Sequence, residues 1–118
     1  MAIREKAFEG SPLAEEELHV KQWDVTVLVR EMTAEKRTDI QNRALKTVKG
    51  EQTIDFRVFT PLLVIASTFD PETREPVFEE GDTSQLLQCS SSALEAISQV
   101  AMRLSGITEE ELTAAKNG

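Results

Sequence analysis

The chain has 118 residues, of which 13 are basic and 21 acidic, and its formal net charge is −8. The length suits a single domain, and a 40% share of apolar residues is enough to build a buried core. This acidity argues against nucleic acid or an anionic membrane surface as a partner, because both attract basic proteins. The longest apolar run, residues 61–66, is far too short to span a bilayer.

The charge is unevenly distributed along the chain. Residues 1–59 carry 10 basic and 11 acidic side chains, whereas residues 60–118 carry 3 basic and 10 acidic ones. The excess acid therefore belongs to the second half, where helix starts and a solvated exterior explain it. Specific contacts with a partner are the alternative explanation.

Residues that commonly carry catalysis are scarce. The chain has one His, one Cys and no Tyr, its five glycines are scattered singly, and its acidic clusters lack the alternation of a calcium loop. We expect His19 to be a solvated strand residue and Cys89 to pack as a small, half-buried apolar side chain. We therefore expect that the protein is not an enzyme and that it binds neither a metal nor a cofactor. A lone cysteine and an N-terminus without an apolar segment also favour a reducing cytoplasm over secretion.

The first elements predicted in chain order are an arm and a β-hairpin. Residues 1–16 are interpreted as a flexible N-terminal arm. Residues 18–22 alternate apolar and polar side chains, and residues 25–31 are rich in β-branched ones, so a hairpin is predicted over 18–31. Trp23, in the connection, is expected to pack over the seam, with a binding hot spot as the alternative.

Helices are predicted to follow the hairpin. Thr33 offers an N-cap for the first, Ser92 begins a capping box for the third, and Thr108 begins another for the fourth. The second helix covers an apolar stretch that contains Pro61. The first residues of this stretch also fit a strand. The predicted bounds are 34–47, 53–67, 92–104 and 109–115, with one further helical turn after residue 82. These elements predict an α+β fold: a mostly helical single domain over residues 17–115, with an N-terminal β-hairpin packed on about four helices.

Three stretches together resemble the tail assembly chaperones of long-tailed, siphovirus-type bacteriophages and prophages. The first is Trp23-Asp-Val-Thr-Val-Leu-Val-Arg-Glu-Met-Thr-Ala-Glu-Lys-Arg37, a hairpin opened by a Trp that runs into a Thr-capped, charged helix. The second is Leu62-Leu-Val-Ile-Ala-Ser-Thr-Phe-Asp70 followed by Pro76-Val-Phe78, and the third spans residues 86–107 with Ser90-Ser-Ser-Ala93 at a helix start. The resemblance covers roughly residues 18–112, in order. The chain departs from the family in its turn, where Glu72-Thr-Arg74 has no glycine.

The resemblance implies a concrete function. Chaperones of this family bind the tape measure protein, a long helical polypeptide that sets tail length, and help recruit tail tube subunits. They act in the host cell cytoplasm and are absent from the mature virion. A programmed frameshift often produces a longer form of these proteins, and this chain would then be the short form.

Apolar positions on the two most apolar helices, together with the single Trp, are the predicted partner-binding residues. A client with long apolar helices needs a complementary groove. The candidates are Trp23, Leu62, Ile65, Leu94, Ile97, Val100 and Ala101. The basic helix 34–47 is interpreted as a solvated face, and docking on the acidic half of another copy, which would form a homo-oligomer, is the alternative. Two alternative functions remain open, a small structural tail or connector protein and an acidic protein-interaction module.

Overall fold

The computed structural model describes residues 2–10 and 12–108, so the helix predicted at 109–115 lies outside the described residues. Within them the chain forms five α-helices and five β-strands, which confirms the predicted α+β class. The elements in chain order are α1 (Ile3–Glu9), β1 (Glu15–Val20), β2 (Val25–Arg30), α2 (Ala34–Ala44), β3 (Leu45–Val48), β4 (Glu51–Ile54), α3 (Phe56–Ser67), β5 (Thr68–Phe69), α4 (Thr83–Leu86) and α5 (Ser91–Leu104). A short 3₁₀ turn at Glu80–Asp82 precedes α4.

The predicted N-terminal hairpin is confirmed as two strands of an antiparallel sheet in the order β1-β2-β5. Strand β1 begins at Glu15, three residues earlier than predicted, so residues 15 and 16 of the predicted arm belong to the sheet. Val27 and Val29 are buried on the face of β2 that joins the core. Two strands alone are marginally stable in water, and here a third strand and two helices complete the layer.

The core lies between the inner face of this sheet and helices α3 and α5. Both helices contact the sheet and each other. Phe59 and Leu63 of α3 and Ile97 of α5 are almost completely buried. Helix α5 begins one residue earlier than predicted, with Ser90 as its N-cap: the Ser90 hydroxyl accepts a hydrogen bond from the Ala93 N–H at 3.3 Å.

A second hairpin, β3–β4, corrects the predicted bounds of two helices. Helix α2 ends at Ala44 rather than 47, and α3 begins at Phe56 rather than 53. The intervening residues form antiparallel strands joined by Lys49 and Gly50, whose φ angles are 53° and 81°. Positive φ at both central residues is the signature of the type I′ hairpin turn, and the β-branched residues on either side are weak helix formers. Residues 45–54 are therefore a hairpin, and the predicted end of one helix at 47 and start of the next at 53 were wrong.

The predicted starts of α2 and α3 have different outcomes. Thr33 is confirmed as the N-cap of α2, since its hydroxyl accepts from the Lys36 N–H at 3.2 Å. Helix α3 is capped by Asp55, whose carboxylate accepts from the Arg57 N–H at 3.0 Å. It continues through Pro61, which lies inside the helix. The sequence also favours a kink or a restart at Pro61, and α3 does not restart there.

The turn after β5 shows how the chain tolerates the absent glycine. The Asp70 carboxylate accepts from the N–H groups of Glu72 and Thr73 at 2.8 and 3.1 Å. Arg74 then adopts a φ of 65°, in the left-handed region that glycine enters without strain. This is the stretch in which many members of the resembled family carry a glycine. The Arg74 side chain makes an ion pair with Glu15 of β1, which helps to hold the residue in place.

Candidate functional site

Six of the seven predicted partner-binding residues lie in the hydrophobic core. Each is buried, and together they hold α3 against α5 and the sheet. These six are Leu62, Ile65, Leu94, Ile97, Val100 and Ala101. A partner could reach them only if α3 and α5 separated, so their role in binding stays a prediction. Packing in the core of the folded chain is enough to explain why these six residues are apolar.

Trp23, the seventh predicted residue, occupies a more accessible position. It lies in the turn between β1 and β2, is half-buried, and packs against the edge of the core. Its ring meets Phe78 edge-to-face, with 6.1 Å between centroids. The neighbouring Val77 is exposed. We call Trp23, Val77 and Phe78 the aromatic patch. It combines a large, well-positioned ring with access from outside, as protein-binding anchors do.

A groove lies beside the second hairpin, and the sequence analysis does not predict it. It has a volume of about 500 Å³ and lies between one face of β3–β4 and the first turn of α3. We call it the hairpin groove. Its lining residues are Lys46, Val48, Lys49, Glu51, Thr53, Ile54 and Phe56. The Lys49-Gly50 pair between β-branched residues was the signal that could have revealed it.

Helix α1 is a further exposed apolar element. None of its residues is buried, and Arg4 lies over the Phe8 ring at 4.8 Å from the centroid. After α1, two hydrogen bonds join Ala14 to Glu31: the Glu31 N–H donates to the Ala14 carbonyl, and the Ala14 N–H donates to the Glu31 carboxylate. The spacing of Ile3 and Ala7 indicated a helical turn here. The flexibility of the arm stays a prediction.

Several acidic residues have structural partners within the chain. Glu15 accepts hydrogen bonds from Arg74 and from Arg30, and these two arginines lower the pKa of its carboxyl group below the ordinary value. Arg103 of α5 donates to Glu16 of β1 at 2.8 Å. The carboxylates of β1 therefore connect the first half of the chain to the second.

The basic helix α2 also contacts the acidic half of its own chain. Arg43 donates to the Glu80 carboxylate at 2.9 Å and lies 3.6 Å from Asp39. Both carboxylates raise the pKa of the Arg43 guanidinium, and Glu80 has the larger effect. Docking of α2 on another copy stays an untested alternative, and Arg43 already has acidic partners in the folded chain.

His19 and Cys89 have separate surroundings. The His19 ring contacts the Thr26 hydroxyl at 3.4 Å and the Asp24 carboxylate at 3.7 Å, and it is exposed as predicted. Cys89 is exposed rather than half-buried, and its thiol donates to the Gln85 carbonyl at 3.5 Å. The prediction of a half-buried Cys89 was wrong because the residue follows the single turn of α4, on the outside of the core. Within the described residues, no group of three or more His, Cys, Asp and Glu side chains could hold a metal ion. The prediction that the protein is not an enzyme stays a prediction.

Comparison with known proteins identifies a structural neighbour. No family model matches the chain, and no curated protein matches it in sequence. A solved structure, that of the bacteriophage HK97 tail assembly chaperone, superposes with a TM-score of 0.57. The match covers 87% of this chain and 98% of the HK97 chain, at 16% sequence identity.

The comparison identifies a shared fold. Because the match spans nearly the whole of the HK97 protein, it reflects the complete arrangement of elements and not one common motif. This is the fold that the resemblance of residues 18–112 implied. Among the described residues, no helix is long and apolar enough to cross a membrane.

Proposed function

We propose that this protein is a phage tail assembly chaperone, which binds the tape measure protein and helps to recruit tail tube subunits around it. The single observation that carries the proposal is the fold shared with the HK97 tail assembly chaperone over nearly its full length. The three sequence stretches that resemble this family lie in a chain whose fold is similar to that of the HK97 protein. On this proposal the protein acts in the host cell cytoplasm and is absent from the mature virion.

The surface of the domain supports a binding function. The described residues include exposed apolar side chains in the aromatic patch, in helix α1 and in the hairpin groove, such as Val77, Phe8 and Phe56. Acidic residues of the second half, among them Glu72, Glu79 and Glu95, are exposed, and their charge would help to keep a complex with an apolar client soluble. We propose Trp23 as the accessible anchor for the client, because the other six candidates are buried.

Co-expression with fragments of the tape measure protein tests the proposal. We expect this chain to increase the soluble yield of the fragments and to co-purify with them. The variant Trp23→Ala should weaken this at least about tenfold if Trp23 is a hot spot. A matched control is Leu87→Ala, which removes an exposed apolar side chain outside the aromatic patch, helix α1 and the hairpin groove.

Mass spectrometry of purified virions tests the proposed class independently. A chaperone is absent from the particle, whereas a structural tail or connector protein is present in stoichiometric amounts. Detection of this chain in intact virions would therefore replace the chaperone proposal with the structural one.

The six buried candidates require a different measurement, because polar substitutions there would unfold the domain. Hydrogen exchange of the α5 amides with and without the client distinguishes the two cases. If the client inserts between α3 and α5, amides on both helices exchange faster in the complex. If binding occurs at the aromatic patch, their protection is kept or increased.

A further inference from the structure

The two edges of the three-stranded sheet differ in how they are covered. At the β5 edge, Pro76 forms a bridge with Phe69. Beside it, the Val77 N–H donates to the Thr68 carbonyl at 3.2 Å. Proline has no N–H to donate, so it protects an edge against further pairing. At the opposite edge, β1 pairs with β2 alone among the described strands, which leaves an edge of six residues open.

The register of the β1–β2 pair shows which backbone groups of β1 remain unpaired. The Glu31 N–H donates to the Ala14 carbonyl at 2.8 Å, so the main chain of residue 14 faces β2. Hydrogen-bonded positions recur at every second residue of an antiparallel pair, so residues 16, 18 and 20 also face β2. The N–H and C=O groups of Glu17 and His19 point the other way, and among the described residues they have no hydrogen-bond partner. They are a template for one further strand.

The side chains of β1 define which strand fits this edge. Leu18 is half-buried and packs against the core, whereas Glu17 is exposed on the opposite face of the sheet. Glu15 and Glu16 have arginine partners within the chain, but Glu17 makes no ion pair with any described residue. A strand that alternates apolar and basic residues can therefore pack beside Leu18 and place a cation opposite Glu17.

The composition of β1 argues against a second copy of the same strand as the occupant. The strand reads Glu-Glu-Glu-Leu-His-Val and contains no lysine or arginine, so a second β1 cannot place either of them opposite Glu17. Glutamates at an edge also discourage pairing with purely apolar strands. The β3–β4 hairpin is a poorer template, because it has only two strands of four residues each.

We propose that β1 binds an extended segment of another protein by strand addition, and that this segment alternates apolar and basic residues. The backbone groups of Glu17 and His19 form the main-chain hydrogen bonds of the complex. The side chains of Leu18 and Glu17 provide its selectivity. The proposal goes beyond the proposed function and does not depend on it, because neither Trp23 nor the α3–α5 core takes part.

Amide hydrogen exchange in the presence of a synthetic peptide tests the proposal on the full chain. The probe is the capped peptide Thr-Val-Lys-Val-Lys-Val-Thr, and the control peptide has glutamate in place of both lysines. The lysine peptide should bind with a dissociation constant below about 1 mM and slow the exchange of the Glu17 and His19 amides. The amides of Leu18 and Val20 already face β2 and should not change. The glutamate peptide should bind at least about tenfold more weakly.

Substitutions at Glu17 separate the main-chain contribution from that of the side chain. Glu17→Pro removes an N–H that takes no part in the pairing with β2, so it should fold and bind the lysine peptide at least about tenfold more weakly. Glu17→Lys keeps the N–H and should prefer the glutamate peptide, which keeps the proposal testable if the proline variant fails to fold. The matched control is Glu51→Lys, which makes the same charge change on an exposed glutamate of β4. It should bind the lysine peptide like the parent.

Three results would overturn the proposal. One is a lysine peptide that leaves the exchange of the Glu17 and His19 amides unchanged, or that protects amides of β3 or β4 instead. Another is a Glu17→Lys variant that still prefers the lysine peptide. The third is protection of the Glu17 and His19 amides that increases with protein concentration in the absence of peptide, which would assign the edge to a second copy.

Discussion

Apolar side chains differ in burial between the α3–α5 core and two other elements, helix α1 and the β3–β4 hairpin. In the core, Phe59 and Leu63 are almost completely buried. In helix α1 and the hairpin, Phe8 is 73% exposed and Val48 is 47% exposed. Burial on folding therefore accounts for the first group and not for the second. Composition alone could not separate them, because both groups contribute equally to the apolar fraction of the chain.

The largest expected effect comes from comparing the same substitution in the two regions. Phe59→Ala removes a ring that is only 2% exposed and should lower the free energy of unfolding by about 3–5 kcal/mol, because it loses burial and leaves a cavity. Phe8→Ala should change it by less than about 0.5 kcal/mol. Urea denaturation of both variants measures the difference. Equal losses would show that α1 packs on the domain after all.

Buried hydroxyl groups sharpen the comparison within the core itself. The Ser105 hydroxyl accepts a hydrogen bond from the buried Met32 N–H at 3.0 Å, whereas the buried Ser98 hydroxyl has no hydrogen-bond partner among the described residues. Ser105→Ala leaves the Met32 N–H unpaired and should cost about 1–3 kcal/mol. Ser98→Ala removes an unpaired polar atom and should be neutral or stabilising. The two urea midpoints should therefore move by different amounts, and a larger loss for Ser98→Ala contradicts the argument.

A smaller effect is expected at the start of α2, which joins the core to the second hairpin. Thr33 caps this helix through its hydroxyl. Thr33→Ala should cost about 1 kcal/mol, and Thr33→Ser should restore most of it because the serine hydroxyl can accept the same hydrogen bond. Thermal or urea unfolding of the pair checks this. A serine variant as unstable as the alanine variant would show that the methyl group matters more than the cap.

The core could be predicted closely from the sequence, and α5 shows why. Leu94, Ile97, Val100 and Ala101 repeat at helical spacing, and the serines before them offer caps, so two independent signals agree. The predicted helix was within one residue of the observed start. Helix α3 was placed less well because its apolar residues begin inside a stretch that fits both a strand and a helix. Strand β4 occupies the first part of that stretch.

The candidate site could not be predicted in the same way, for a physical reason. Apolar periodicity reports which side chains an element buries, and the residues selected by it, such as Leu62 and Ile97, are indeed buried. A binding surface is formed by apolar residues that remain exposed after folding. Val48 and Phe56 belong to different elements, and they share the groove only because a Lys-Gly turn folds β3 back on β4. No periodicity in the sequence connects them.

The smallest expected effect is electrostatic and lies at Glu15, in the strand that follows the N-terminal arm. Hydrogen bonds from Arg74 and then Arg30 lower the pKa of this carboxyl group in the folded chain. A lowered folded-state pKa means that the contribution of Glu15 to stability is complete above its unfolded-state value of about 4.5, and is lost as the pH falls through the lower folded-state value. Glu15→Gln should therefore be less stable than the parent at neutral pH, and the difference should shrink in acid. Urea midpoints from pH 7 down to about pH 3 measure this, with Glu17→Gln as the control on the same strand. A difference between parent and Glu15→Gln that stays constant over this range would show that the two arginines bind the side chain by geometry alone, without favouring its charged form.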